Sequence, residues 1–299
     1  MRVLITGATG FVGRTLVPYL YNYGIGDIVL LVRDVSKSQK IFSEINCKII
    51  STEQNDWRGK VIDCSPDVVL HMATCFIGKS DRKSVIDIID TNILFSTLLL
   101  ETLSVTGCKY FINIGTYSEY SFGAGEYSPN NLYSASKTAF RPIIQYYQSI
   151  SKWKWINVII YSPYGRKNCN KKVIDYMIDA LTATQPVAFT YGEQILDFIH
   201  VDDIANFFST LITRLSFLPM SYYEFHLGTG KGYSIREVAK IIERIWKKRI
   251  NADWGKRAYS SSDIMYAVAP ISKNIDLLNW KAQIDIEEGL TILYHDVYK

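Results

Sequence analysis

A tyrosine and a lysine four residues apart, Tyr133 and Lys137, with Thr116 upstream of them, have the types and spacing for proton transfer in this 299-residue chain. On a helix, side chains at i and i+4 lie one above the other on a single face. An ammonium held within a few ångström of a phenol favours the phenolate and draws its pKa down from about 10. A tyrosine tuned in this way exchanges a proton with a substrate oxygen near neutral pH. Thr116 can hydrogen-bond the same oxygen. Among 21 tyrosines such a spacing also arises by chance. Its place in the chain therefore carries the weight.

The elements around it read as follows. Lys109–Ile114 is a short apolar run rich in aromatic and β-branched residues, a buried strand that ends at Gly115-Thr116. A loop rich in Gly, Ser, Pro and Asn follows to Asn131, and a helical pattern from about Leu132 carries Tyr133 and Lys137. At the chain's start, Arg2–Ile5 is a strand running into Thr6-Gly7-Ala8-Thr9-Gly10-Phe11-Val12-Gly13 and then into a helix with Val12, Leu16, Val17 and Leu20 on one face. Glycines between a first strand and a first helix allow a tight turn, a close approach to a pyrophosphate and close helix packing, and the helix dipole favours the anion. Gly7, Thr9, Gly10, Phe11, Val12 and Gly13 are thus the expected cradle of a dinucleotide. Arg33 follows the second strand, Ile28–Val32. An arginine there holds the 2′-phosphate of NADP, whereas an acidic residue takes the ribose hydroxyl of NAD. Asp34 stands one place on, and the balance favours NADP.

Further strands at Lys48–Ile50, Asp67–Ala73, Lys109–Ile114 and Trp155–Tyr161, separated by helical patterns around Val85–Thr106 and Tyr133–Ser151, predict an α/β fold. It is a doubly wound parallel Rossmann sheet covered on both faces. Ligands bind such sheets at the carboxyl ends of the strands, where Thr6–Gly13, Arg33, Met72-Ala73 and Thr116 gather. Residues 1–162, with a returning segment near 187–215, are expected to form the dinucleotide domain, and 163–299 a smaller substrate lobe.

Composition narrows the classes. Hydrophobic content of 48%, charged content of 21% and a net charge of +4 suit a soluble enzyme and give no nucleic-acid footprint. The one basic run, Arg166-Lys167 with Lys171-Lys172, is either a solvated loop or a phosphate site. With no apolar run on the order of 18 residues and no charged-then-apolar leader, the expectation is a cytoplasmic protein without membrane insertion. Five cysteines (Cys47, Cys64, Cys75, Cys108, Cys169) and four scattered histidines have no metal-ligand spacing, so no metal is expected.

In order along the chain, these motifs resemble an extended short-chain dehydrogenase/reductase of the branch that modifies nucleotide-activated sugars. They are Thr6–Gly13, His71-Met72-Ala73, Asn92, Thr116, Tyr133 with Lys137, Ser162–Gly165, Asp197–Ala205, and Leu227–Gly230 with Tyr233–Ile235. The resemblance implies that Tyr133 is the acid/base, that Lys137 binds the nicotinamide ribose and tunes Tyr133, and that Thr116 orients the sugar's C4 oxygen. Met72, Ala73 and Asn92 would line the cofactor, and Ser118 the substrate. His71, His200 and Asp202 read more simply as polar residues pinning strand and helix ends. The apolar faces of the two long helical patterns would pair across a homodimer, although burial within one chain explains them equally well.

Departures from the family sort the reactions. Sugar dehydratases carry Asp-Glu directly after the threonine; here stand Tyr117 and Ser118, with Glu119 one place too far on. The epimerase-reductase that makes GDP-fucose needs a cysteine, and none lies between Cys108 and Cys169. What remains is an NADPH-dependent reductase of a nucleoside-diphosphate 4-keto-deoxyhexose, or a 4-epimerase that holds NAD. A non-catalytic NADP sensor or scaffold is a third reading. The usual substrate-diphosphate arginines are absent, with Leu196 and Ser260 in their places, which leaves Arg166, Lys171, Lys172 and Arg257 as candidate substitutes.

Overall fold

The computed structural model describes residues 1–77, 81–123, 125–166 and 171–297; Lys167 and Cys169 lie outside them. Strands buried on both faces must be apolar throughout, and the runs at β1 (Val3–Thr6), β2 (Ile28–Val32) and β4 (Val68–His71) are buried at every position. Between them come α1 (Phe11–Asn22), α2 (Val35–Ile41), β3 (Lys48–Ser51) and α3 (Trp57–Cys64). Then follow α4 (Arg82–Ile89), α5 (Ser96–Leu103), β5 (Tyr110–Thr116), α6 (Leu132–Ser151), β6 (Lys154–Ile160) and β7 (Ser162–Tyr164). The expected single helix at 85–106 is interrupted: a π-helical segment, Asp90–Phe95, separates α4 from α5. Such widened turns aim a side chain that an ideal helix would turn elsewhere.

The rest of the chain is α7 (Val173–Ala180), β8 (Val187–Phe189), β9 (Ile195–Leu196), β10 (Phe198–His200) and α8 (Val201–Arg214). After these come β11 (Tyr222–Leu227), β12 (Tyr233–Ser234), α9 (Ile235–Trp246), β13 (Ala252–Trp254), β14 (Tyr266–Ala267), α10 (Ser272–Leu278) and α11 (Ile286–Val297). Seven strands form the central parallel sheet in the order β11-β6-β5-β4-β1-β2-β3. The order reverses between β1 and β4, the crevice where such sheets take ligands. Within the segment expected to return near 187–215, β8 pairs with β13 outside the sheet and α8 packs on the sheet; β11, beyond that segment, joins the sheet beside β6. The seventh strand escapes a reading by apolar runs because Tyr222–Leu227 alternates buried with partly exposed residues.

Two cores cover the sheet. Leu16 and Leu20 of α1 with Ile204, Phe207, Phe208 and Leu211 of α8 pack on one face, and Val61, Leu99, Leu103, Phe140 and Ile144 on the other. A third core joins α7, α9 and α11 through Met177, Val238, Ile242 and Leu290. Each such fully buried side chain contributes about 1.5–3 kcal/mol. Among the described residues no helix is long and apolar enough to cross a membrane.

Candidate active site

The turn after β1 is shaped by what lies beside it. Gly7 has φ +71°, and a Cβ there would come within 2.6 Å of the Met72 carbonyl carbon, because β1 and β4 pair Thr6 with His71. At Gly13 a Cβ would meet the Ala8 carbonyl oxygen at 2.3 Å, so helix and turn touch backbone to backbone. Gly10 caps α1 without a side-chain hydrogen bond, and the first turn holds no acidic residue. The free N–H groups of that turn and the positive end of the dipole face outward, which fits an anion. Thr9 has its carbonyl held by Arg14 Nε at 2.9 Å, and Phe11 lies under the Lys172 ammonium, 5.8 Å from the ring centre.

At the next strand end Asp34 caps α2, accepting from the Lys37 N–H at 2.8 Å. Arg33 is exposed, and among the described residues no carboxylate pairs with it. Thr6 Oγ1 accepts from the Ala73 N–H at 3.0 Å and lies 2.9 Å from His71 Nδ1. His71 Nε2 meets Ser96 Oγ at 2.9 Å, and that hydroxyl donates to the Thr91 carbonyl. The chain of bonds assigns His71 a proton on Nε2 only. Burial, then the Lys137 charge, lowers its pKa to about 3. The reading of His71 as a satisfied strand-end histidine holds, and His200 caps α8 by accepting from the Asp202 N–H.

Asn92, expected at the cofactor, sits in the π-helical turn with its amide fully occupied. Oδ1 accepts from Cys75 N at 2.8 Å and Thr74 Oγ1 at 3.1 Å; Nδ2 donates to the Cys75 carbonyl at 3.1 Å and Ser136 Oγ at 2.9 Å. It ties the loop after β4 to α6. Met72 and Ala73 lie in that loop at the mouth of the β1/β4 crevice.

α6 starts where Asn131 accepts from the Ser134 N–H at 2.9 Å. Tyr133 is its second residue. Phe76 packs edge-on against the Tyr133 ring at 4.9 Å. Thr116 closes β5; its Oγ1 lies 3.0 Å from Ser118 Oγ, so the Ser118 hydroxyl is engaged with Thr116. Lys137 is 4% exposed, and among the described residues its amine makes no hydrogen bond or ion pair. Burial lowers that amine to about 8, with Glu119 holding it up and Arg141 pressing it down. The expected lowering of the Tyr133 pKa is corrected: burial pushes the phenol up, and the Glu119 charge adds to the push.

The basic candidates scatter. Arg166 is exposed and 3.9 Å from Asp202, and Lys171 is paired with Asp179 at 2.6 Å. Lys172 reaches the cofactor turn, and Arg257 follows β13 with its N–H on the Phe189 carbonyl. The structure thus brings Gly7–Gly13, Met72, Ala73, Thr116, Tyr133 and Lys137 to one sheet edge and leaves Arg166 and Arg257 in other surroundings. Sequence reading missed Arg141, although it stands at i+8 from Tyr133 and i+4 from Lys137 on the same helical face. It also missed Glu224, for which no local signal exists.

A family model described as the NAD dependent epimerase/dehydratase family matches residues 3–220, and the chain belongs to that family. It is 29% identical to the CDP-abequose synthase of Salmonella typhimurium, over 96% of this chain and 95% of the relative. It is 25% identical to UDP-glucose 4-epimerase 2 of Arabidopsis thaliana, over 96% and 92%. Among solved structures, a Bacillus cereus UDP-glucuronic acid 4-epimerase mutant in complex with a fluorinated UDP-sugar and NAD superposes with a TM-score of 0.87 at 20% identity, covering 100% and 99% of the two chains. At that identity the likeness concerns the fold.

Proposed function

We propose that this chain reduces the C4 ketone of a nucleoside-diphosphate 4-keto-deoxyhexose with NADPH. The substrate would be of the kind exemplified by CDP-4-keto-3,6-dideoxyglucose, and the role that of finishing a dideoxyhexose for bacterial O-antigen. The observation that carries the reading is the buried Lys137 amine, without a hydrogen-bond or ion-pair partner among the described residues, one turn beyond Tyr133 at the sheet edge where α1 begins without a side-chain cap. The glycine cradle and the orphan amine fit a nicotinamide dinucleotide, with Lys137 meeting its ribose hydroxyls and the α1 turn its pyrophosphate. Arg33, free because Asp34 is committed to capping, would hold the 2′-phosphate. NADPH held there would supply the hydride for C4. Tyr133 gives its proton to the C4 oxygen as negative charge develops there, and Thr116 donates a hydrogen bond to the same oxygen. A phenol kept protonated by its surroundings suits the donor's role. The likeness to CDP-abequose synthase supports this reading.

A second reading, an NAD-holding 4-epimerase, draws on the likeness to UDP-glucose 4-epimerase. One assay separates them: purified protein given CDP-4-keto-3,6-dideoxyglucose should oxidise NADPH stoichiometrically to a single C4 alcohol. Copurified NAD with interconversion of two UDP-sugars and no net NADPH loss would establish the epimerase instead. Binding of NADPH without turnover of either substrate class would favour the sensor. The expected homodimer draws support from apolar residues left exposed on the two helical faces, Ile86, Ile89 and Leu94 on one and Tyr146 and Ile150 on α6. Sedimentation would test it.

A further inference from the structure

Behind the proposed acid lies a buried charge cluster that the mechanism so far does not use. Glu119, in the turn after β5, is 0% exposed. Its Oε1 accepts from the Thr116 N–H at 2.8 Å. Its Oε2 accepts from Arg141 Nε at 2.9 Å and from Thr138 Oγ1 at 3.3 Å, both on α6. Arg141 continues to Glu224 on β11 at 2.6 Å, where Asn157 Nδ2 donates to the same oxygen at 3.0 Å. Gly115 makes the arrangement possible, because a Cβ there would come within 2.7 Å of Glu119 Oε1. One carboxylate therefore bonds both the strand end that bears Thr116 and the helix that bears Tyr133 and Lys137.

Resting on the function proposed above, we infer that Glu119 is a positioning residue: anchored by Arg141, it sets the spacing of Thr116 against the Tyr133–Lys137 face. The geometry gives two separable consequences. First, Glu119 cannot leave without freeing the Thr116 N–H and the Arg141 Nε–H in a buried place, while Arg141 stays tied to Glu224, so Thr116 and α6 lose their common anchor. Second, the charged and titratable groups facing Lys137 are Glu119 from the β5 turn, Arg141 and Tyr133 from α6 and His71 from β4, and of these Glu119 alone brings negative charge: burial raises its pKa, and the Arg141 ion pair at 2.9 Å opposes that rise. Removing Glu119 leaves burial and Arg141 unopposed. The Lys137 pKa then falls below about 8, and the charge that a ribose hydroxyl would meet is lost at neutral pH.

The test compares wild type, E119Q and E119D, each checked for folding by circular dichroism and for NADPH binding by fluorescence. Lys137 is titrated by 13Cε-lysine NMR on the NADP-bound protein, with the resonance assigned by its disappearance in K137M. The expected result is a fall of about one unit or more in E119Q, restored in E119D. On CDP-4-keto-3,6-dideoxyglucose, kcat should drop roughly 10–100-fold in E119Q with little change in KM. The alkaline fall of the rate should move to lower pH with the titration. An unshifted Lys137 in E119Q, or a kcat lost equally in E119D and E119Q with no change of pH profile, overturns the inference. If E119Q does not fold, T138V replaces it. T138V removes one donor from the carboxylate, and a Lys137 pKa and rate unchanged there overturn the inference as well. Should wild type turn over no 4-keto sugar nucleotide, the proposed reaction fails while the NMR titration still decides the role of Glu119.

Discussion

The three side chains proposed for chemistry are held differently from what their spacing suggests. Tyr133 and Lys137 share a helical face, yet the phenol ring packs against Phe76 and the amine has no hydrogen-bond or ion-pair partner among the described residues. Burial and the Glu119 charge raise the phenol instead of the expected lowering by the ammonium, and Tyr133 remains a protonated donor. Y133F is expected to lower turnover by about 10²–10⁴-fold. NADPH affinity, read by fluorescence, should stay near wild type because the hydroxyl holds a proton for the substrate rather than the cofactor in place. A Y133F protein with wild-type turnover would remove Tyr133 from the role of acid.

At the scale of elements, the β1/β4 crevice depends on backbone approach. Gly7→Ala forces a Cβ at φ +71° against Met72 and should cost about 1–3 kcal/mol, read by urea unfolding, with dinucleotide binding weakened in parallel. The same crevice holds His71 neutral between Thr6 and Ser96. Its pKa is lowered from 6.5 to about 3 in the fold. The stability it contributes is therefore complete above 6.5, and is lost as pH falls from there toward 3, where the unfolded chain binds a proton the folded one refuses. Unfolding midpoints measured across that window should slope downward in wild type and less steeply in H71N, where only the carboxylates still titrate. A flat wild-type profile would contradict the burial of a neutral imidazole.

Across the whole molecule, Arg141 joins the β5 turn, α6 and β11 through Glu119 and Glu224. Taking away one partner of a buried ion pair strands the other charge, so Arg141→Met should cost about 3–5 kcal/mol in urea unfolding. A cost within experimental error would mean that the cluster is solvated and the anchor fictitious. The arrangement also explains why the chain returns to the sheet at β11: that strand supplies Glu224 and closes the edge beside β6.

Local pattern determined a great deal. The apolar runs of β1, β2, β4 and β5, the glycine turn, the helix bearing Tyr133 and Lys137 and the α/β class were all legible, because strand and helix periodicities are short-range properties written in adjacent residues. Tertiary structure decided that Asp34 caps a helix, that Asn92 turns inward from a π-helical segment, and that β11 rather than β8 joins the sheet. It also decided that Glu119 meets Arg141, 22 positions away, and that Arg141 meets Glu224, 83 positions further. Such contacts have no period in the sequence; they exist only once the strand order has set which ends of the chain stand side by side.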